Sequence, residues 1–289
     1  MISPHPNSPQ PRRLAGKPVF LSASVPSKER SKDYQRVTDT AVSVEEAVIA
    51  VARAVFAAGG ELVFGAHPSI SPLVASVLGE YYVPEAPAPA AEGGSSPRRE
   101  GQGQPRVVMY QSKVWEPLWA ESSLRLAEHP RVEVHWTSVI DKEAVSPTPS
   151  AAPQAPHSMK EMRTQMIEQT RPVAMIAIGG MEGTEEEVEL FARLREGRPI
   201  YVLATTGGAA GLIAKRPKIH RSRVVVMDEK SRDAVMQFWT EQENRDPRRS
   251  KDQSVGEGSA PSALREQHYY VPYSFVAQQI IAEIAERNE

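Results

Sequence analysis

The chain has 289 residues, with 34 basic and 36 acidic side chains and a formal net charge of −2, a near-balance that argues against a global electrostatic grip on nucleic acid or an anionic membrane. It contains no cysteine, which excludes disulfide frameworks, zinc–cysteine sites and thiol nucleophiles. The 40% of apolar residues can fill a sizeable core, but 25 prolines exceed the usual ~5% of a chain and belong mostly outside regular elements.

The prolines cluster. Residues 1–16 read as a polar, disordered tail, and 84–105, dominated by Pro, Gly, Ala and Ser, read as an insertion unable to bury enough apolar surface to order itself. The segments 144–157 (AVSPTPSAAPQAPH) and 241–265, the latter densely charged, read as disordered insertions of the same kind. Fifteen of the 25 prolines fall in these four segments, so what remains of 17–289 carries an ordinary proline load and fits one α/β domain. The N-terminus lacks an apolar signal region and the apolar stretch Ala47–Ala58 is broken by Arg53, so no signal peptide, membrane span or membrane partner is expected, and the expected compartment is the cytoplasm.

Between the loops, short β-branched runs alternate with helical patterns. A strand at Val19–Ala23 precedes a helix on which Val44, Val48, Val51 and Val55 share a face and which Ser43 and Glu46 open as a capping box. A strand at Leu62–Gly65, a helix at Pro72–Tyr81, a strand at Val107–Tyr110, a helix at Pro117–Ala127 and a strand at Val132–Trp136 follow. Beyond the second insertion come a helix at Ser158–Thr170, a strand at Val173–Ile178, a helix at Glu185–Arg195 and strands at Ile200–Leu203 and Val224–Met227. Helices at Ser231–Thr240 and Ser274–Arg287 close the chain. Most strand candidates are continuous apolar runs, which suits strands covered on both faces. The pattern predicts an α/β, Rossmann-like, doubly wound and mainly parallel sheet of about seven strands with helices on both faces, and ligands of such folds bind beyond the carboxyl ends of the strands.

Those ends carry the candidate chemistry. The fifth strand runs into Gly179-Gly180-Met181-Glu182-Gly183-Thr184 and then Glu185-Glu186-Glu187, a glycine turn before a helix whose first N–H groups can hold a phosphate or carboxylate. The sixth ends in Thr205-Thr206-Gly207-Gly208, the second in Gly65-Ala66-His67-Pro68 and the first in Ser22-Ala23-Ser24. No G-x-G-x-x-G follows the first strand and no P-loop sequence occurs, so ordinary dinucleotide and NTPase readings lose support. The seven histidines show no metal-binding spacing, and neither a metal nor a cofactor is expected.

The helix with Met159-Lys160-Glu161-Met162-Arg163-Thr164-Gln165-Met166, followed by GGMEGTEEE, resembles the paired signature of LOG-type (Lonely Guy) phosphoribohydrolases, an M-x-x-R-K-x-x-M helix before P-G-G-x-G-T-x-x-E. With VFLSASVP, LVFGAHPSISPLV and TTGGAA at the other strand ends, the chain is similar to the SLOG superfamily, and within it to the branch found beside TIR and nucleosidase domains in prokaryotic anti-phage defence. The resemblance implies that Arg163 and Glu187 stand where the enzymes keep their catalytic arginine and glutamate. It makes Gly179, Gly180, Met181, Gly183 and Thr184 the phosphate-binding turn, with Ser22, Ser24, Gly65, His67, Thr205, Gly207 and Gly208 as further ligand contacts. Thr164 in place of the lysine, one residue inserted before Gly183-Thr184, and Gly65-Ala66-His67 in place of a triple glycine alter the bed for a nucleotide, and they touch turnover more than binding. The resemblance therefore implies a sensor domain for a nucleotide or nucleotide-derived signal, derived from NAD or a cyclic nucleotide, that forms a homodimer or higher oligomer and acts through a separate effector protein. The alternative is an N-glycosidic hydrolase using Arg163 and Glu187, and a third class is an adaptor with a vestigial site.

Each candidate also has a plainer role. Thr184 and Glu187 stand three apart and match a T-x-x-E capping box; Glu185 and Glu186 suit the helix dipole; Arg163 suits a surface ion pair. His67 fits a turn as well as a ligand, Ser22 and Ser24 fit a solvated strand end, and Met159, Met162 and Met166 fit the core face of a helix. Trp115, Trp119 and Trp136 read as local packing, since no basic residues interleave with them as nucleic-acid binding requires.

Overall fold

Continuous apolar runs can be satisfied only where both faces of a strand are covered, and the chain achieves this by placing helices on either side of one sheet. The computed structural model describes residues 13–26, 34, 40–82, 106–140, 155–215, 223–231, 233 and 271–288. Its strands are β1 (Pro18–Ser24), β2 (Glu61–Gly65), β3 (Arg106–Ser112), β4 (Val132–Thr137), β5 (Ala174–Gly179), β6 (Ile200–Leu203) and β7 (Val224–Val226). The helices are α1 (Thr40–Ala57), α2 (Ser71–Tyr81), α3 (Glu121–Ala127), α4 (Pro156–Thr170), α5 (Glu182–Leu194), α6 (Gly208–Lys215) and α7 (Tyr273–Glu286). The described strands form one sheet in the order β4-β3-β2-β1-β5-β6-β7, and every neighbouring pair is parallel.

Alternation along each strand divides the core in two. Leu21, Phe64, Met109, Ile176 and Leu203 point to the layer of α1, α2, α3 and α7. Phe20, Val63, Val108, Met175 and Val202 point to the layer of α4, α5 and α6. The chain leaves β1 toward β2, β3 and β4, then returns to the other side of β1 with β5. The strand order reverses there, and β1 and β5 lie side by side with Ser24 opposite Gly179. A crevice opens at the carboxyl ends of strands on either side of such a switch point.

Several boundaries differ from the sequence expectations. Within the expected tail, Leu14 is fully buried and its N–H donates to the Ala58 carbonyl at 2.9 Å, so a single apolar side chain anchors residues 13–16. The expected insertion at 144–157 ends early: Ala155 is buried and α4 begins at Pro156, where a proline is compatible with the first helical turn. Ser43 and Glu46 do not cap α1, which starts at Thr40; the Ser43 side chain instead hydrogen-bonds Tyr273 of α7. The single helix expected over Pro117–Ala127 is divided into a 3₁₀ turn, Lys113–Leu118, that contains Pro117, and the separate α3. The insertions at 84–105 and 241–265 lie outside the described residues, as does most of the helix expected over Ser231–Thr240. Among the described residues no helix is long and apolar enough to cross a membrane.

Candidate functional site

The glycine turn between β5 and α5 is held from two sides. The Gly180 N–H donates to the Ser24 carbonyl at 2.8 Å, and the Gly180 carbonyl accepts the Ala209 N–H at 2.9 Å. The Gly179 N–H donates to Thr206 Oγ1 at 2.8 Å, and that hydroxyl donates to the Leu203 carbonyl at 2.6 Å. Gly180 has φ +83°, and a Cβ there would collide with the Thr184 side chain, so Thr184, in the first turn of α5, folds back over the glycine turn. Gly208 has φ +56°, and a Cβ would lie 2.5 Å from the Gly180 carbonyl oxygen. The second glycine junction is therefore a brace for the first.

Beyond the turn lies a cavity of about 330 Å³. Its lining includes Ser24, Gly65 and His67 from the ends of β1 and β2, Met159, Met162 and Arg163 from α4, and Met181, Gly183, Thr184 and Glu187 from the turn and α5. Gly179, Gly180, Thr205, Gly207 and Gly208 do not line it. Thr205 is tied elsewhere, its N–H to Asp228 Oδ2 at 2.6 Å and its hydroxyl to Tyr273 Oη at 2.9 Å. Ser22 is buried behind the wall and reaches the site through Glu187.

Glu187 does not form a capping box. Helix α5 begins at Glu182 with Met181 as its N-cap and no side-chain cap bond, and Thr184 donates its N–H to the Met181 carbonyl at 2.9 Å. The helix starts three residues earlier than the T-x-x-E spacing suggests, so Glu187 falls in the second turn and projects into the cavity. Ser22 shares with Phe20 the face of β1 that packs toward α4 and α5, and its hydroxyl donates to Glu187 Oε2. Arg163 Nε lies 3.4 Å from Glu187 Oε1, and Nη1 pairs with Glu186 Oε2. The side chains of Arg163 and Glu187 are 14% and 13% exposed, so their pair is sheltered from the screening that weakens surface ion pairs. Burial raises the Glu187 carboxyl above the usual carboxylate range, opposed by Arg163 and the Ser22 hydroxyl, with Glu186 adding to the rise. Glu186 is thus a partner of Arg163, beyond the dipole role expected for it, while Glu185 accepts from the Tyr34 hydroxyl at 3.2 Å.

The remaining walls are partly apolar. Met162 and Met166 are buried in the core as expected, but Met159 and Met162 also face the cavity. Counted from Arg163, the family spacing puts a methionine at position 160, which is Lys160 here; the methionines on either side, Met159 and Met162, occupy the wall. His67 both lines the cavity and orders its own turn: Nδ1 accepts the Ser69 N–H at 3.3 Å and lies 2.8 Å from Ser69 Oγ. Trp119 and Trp136 pack edge to face at 4.7 Å, but Trp115 lines the cavity and donates its indole N–H to Met159 Sδ at 3.0 Å. Gln111 lines it as well, its amide donating to the Ala66 carbonyl at 3.0 Å. Sequence reading missed both; Gln111 stands at the carboxyl end of β3, where the rule that located the other strand-end residues also applies.

The α5 N-terminus is the part of the site suited to an anion. Among the described residues the Glu182 and Gly183 amides meet no acceptor, and both residues line the cavity, beside Arg163. Free N–H groups at a helix N-terminus, with the helix dipole behind them, favour a phosphate or carboxylate. Among the described residues no cluster of three or more acidic or histidine side chains could hold a metal ion.

No curated protein matches the chain. The X-ray structure of TM1055, a structural-genomics target, is similar at 14% identity and a TM-score of 0.39, over 76% of this chain and 99% of that one. Residues 102–229 match the model of the SLOG cluster3 family, a span that holds both the Arg163 helix and the glycine turn with Glu187. Over that span the chain is similar to the SLOG cluster3 family.

Proposed function

We propose that the cavity binds a small phosphate-bearing nucleotide derivative and hydrolyses its N-glycosidic bond, a reading that the match to a SLOG family over residues 102–229 supports at the level of nucleotide-related binding or hydrolysis. The observation that carries it is the placement of Glu187, which projects into the cavity beside Arg163 and Ser22. The phosphate sits at the Glu182 and Gly183 amides. The bond between the sugar C1′ and the base nitrogen breaks, and its electron pair leaves with the base, which gains a proton. The Glu187 carboxylate supports the positive charge that develops on the sugar ring. Water then forms the new C–O bond at C1′ and gives up a proton, so the net change is the addition of one water. Arg163 and Ser22 orient Glu187 and favour its charged form against the burial that opposes it. A volume of about 330 Å³ falls at the lower end of small-molecule sites, which run from ~300 to ~1,000 Å³, and this favours a mononucleotide-sized ligand.

The test is chromatographic detection of free base from a panel of nucleoside 5′-monophosphates. Glu187→Gln should lower base release by about 100-fold or more, the range of a lost carboxylate in acid–base or electrostatic catalysis; unchanged release overturns the mechanism. The amide cradle does not depend on Glu187, which supports a second reading, that the site senses its ligand without turnover and passes the signal to a separate effector. Tight binding of a nucleotide with no base released by the unsubstituted protein assigns that role.

A further inference from the structure

We infer that Trp115 is the base-recognising residue of this site and that it reads the base by its flat face, with little reading of the base edge. The inference rests on the nucleotide-binding reading above. Three observations carry it. Trp115 lines the same cavity as the Glu182 and Gly183 amides of α5, reaches it from the 3₁₀ turn after β3, and is only partly buried. Its indole N–H is already donated to Met159 Sδ at 3.0 Å. That bond fixes the ring against α4 and spends its one polar group, so the ring offers a ligand only apolar surface. Its neighbours on this wall are Met159 and Met162, both apolar and polarisable.

Gln111, one polar candidate for reading a base edge, is committed to the backbone. Its Nε2 donates to the Ala66 carbonyl at 3.0 Å and its Oε1 accepts the Ser112 N–H at 3.0 Å, so turning it toward a ligand leaves a buried N–H without a partner. A planar base laid on the open face of Trp115 gains stacking energy whatever its substituents, because every base has a π-face. The α5 amides and the indole give one cavity two kinds of surface, one suited to a phosphate and one to a ring.

Titration calorimetry on the full chain with AMP, GMP, CMP and ribose 5-phosphate tests this. The nucleotides should bind about tenfold to a hundredfold more tightly than ribose 5-phosphate, as stacking of one base provides, and AMP and GMP should agree within about threefold, since stacking does not depend on edge groups. Trp115→Leu, which keeps apolar bulk but removes the ring, should abolish the advantage of AMP and leave ribose 5-phosphate affinity unchanged, while Trp115→Phe keeps most of it. The inference is overturned if Trp115→Leu preserves the ratio of AMP to ribose 5-phosphate affinity, if it weakens both equally, or if AMP and GMP differ by more than about tenfold, a discrimination that needs edge hydrogen bonds. Failure of both AMP and ribose 5-phosphate to bind the unsubstituted protein overturns the nucleotide-binding reading itself. Ribose 5-phosphate binding with no added affinity from any base overturns only the role of Trp115.

Discussion

Gly208 does not line the cavity of the site, yet its substitution should disable the site. Gly208→Ala introduces a Cβ at φ +56°, 2.5 Å from the Gly180 carbonyl oxygen and 2.9 Å from Pro26 Cγ. Gly197→Ala is the matched control, because it has φ +78° and nothing within 4 Å of the added Cβ. The left-handed conformation costs an L-residue about 1–2 kcal/mol, and the stiffer unfolded chain returns roughly 0.4–1 kcal/mol of this, so Gly197→Ala should destabilise by about 1 kcal/mol. Gly208→Ala carries the same strain plus an overpacking cost of about 1–3 kcal/mol, for a total of about 2–4 kcal/mol. At roughly 2–4 °C per kcal/mol for a domain of this size, thermal unfolding should fall by a few degrees for the control and by about 5–15 °C for Gly208→Ala. The Gly180 carbonyl cannot stay in place, and the turn it anchors positions the Glu182 and Gly183 amides. AMP affinity measured by calorimetry at a temperature where both variants are folded should therefore drop about tenfold or more for Gly208→Ala alone, since displacements near 1 Å can cost ~100-fold at such sites. Equal melting temperatures, or equal AMP affinity, for the two variants would refute the reasoning.

Two further outcomes follow from the same contacts. Glu187 is raised by burial, so in the window from the ordinary carboxylate range up to its raised value the folded state binds the proton that the unfolded state has lost; stability should fall as pH rises through that window, and Glu187→Gln should flatten this slope in denaturant titrations at several pH values. An unchanged slope refutes the assignment. Thr206 is fully buried and its hydroxyl joins the Gly179 N–H to the Leu203 carbonyl, so Thr206→Val should cost about 1–3 kcal/mol by leaving a buried N–H unpaired, while Thr206→Ser keeps the bonds; equal urea midpoints for the two variants argue against the bridge.

All seven strands could be read from composition and periodicity: strands covered on both faces must be apolar throughout, and most here are β-branched runs, while β4 at the sheet edge, VEVHWT, alternates. The alternation of strands with helices also carried the parallel, doubly wound arrangement, and glycine beside the strand ends located the neighbourhood of the site. Individual roles were less legible. Thr184 and Glu187 fit a capping box by spacing alone, and only the start of α5 at Glu182 turns Glu187 into the cavity. Gly208 and Gly180 look alike in sequence, but one braces while the other carries the turn, a distinction made by a contact across 28 residues of chain. Trp115 looked like packing because nothing local marks it; its role depends on Met159, 44 residues away.

The sequence by itself determined the sheet, the covering helices and the positions where backbone amides could meet an anion, since these follow from local periodicity, chain chirality and glycine. Tertiary structure alone decided which side chains converge there. Ser22, Arg163 and Glu187 come from β1, α4 and α5, and they meet only because the chain returns to lay β5 beside β1. Long-range juxtaposition of that kind leaves no local trace, because each of the three residues satisfies the rules of its own element equally well with or without its partners.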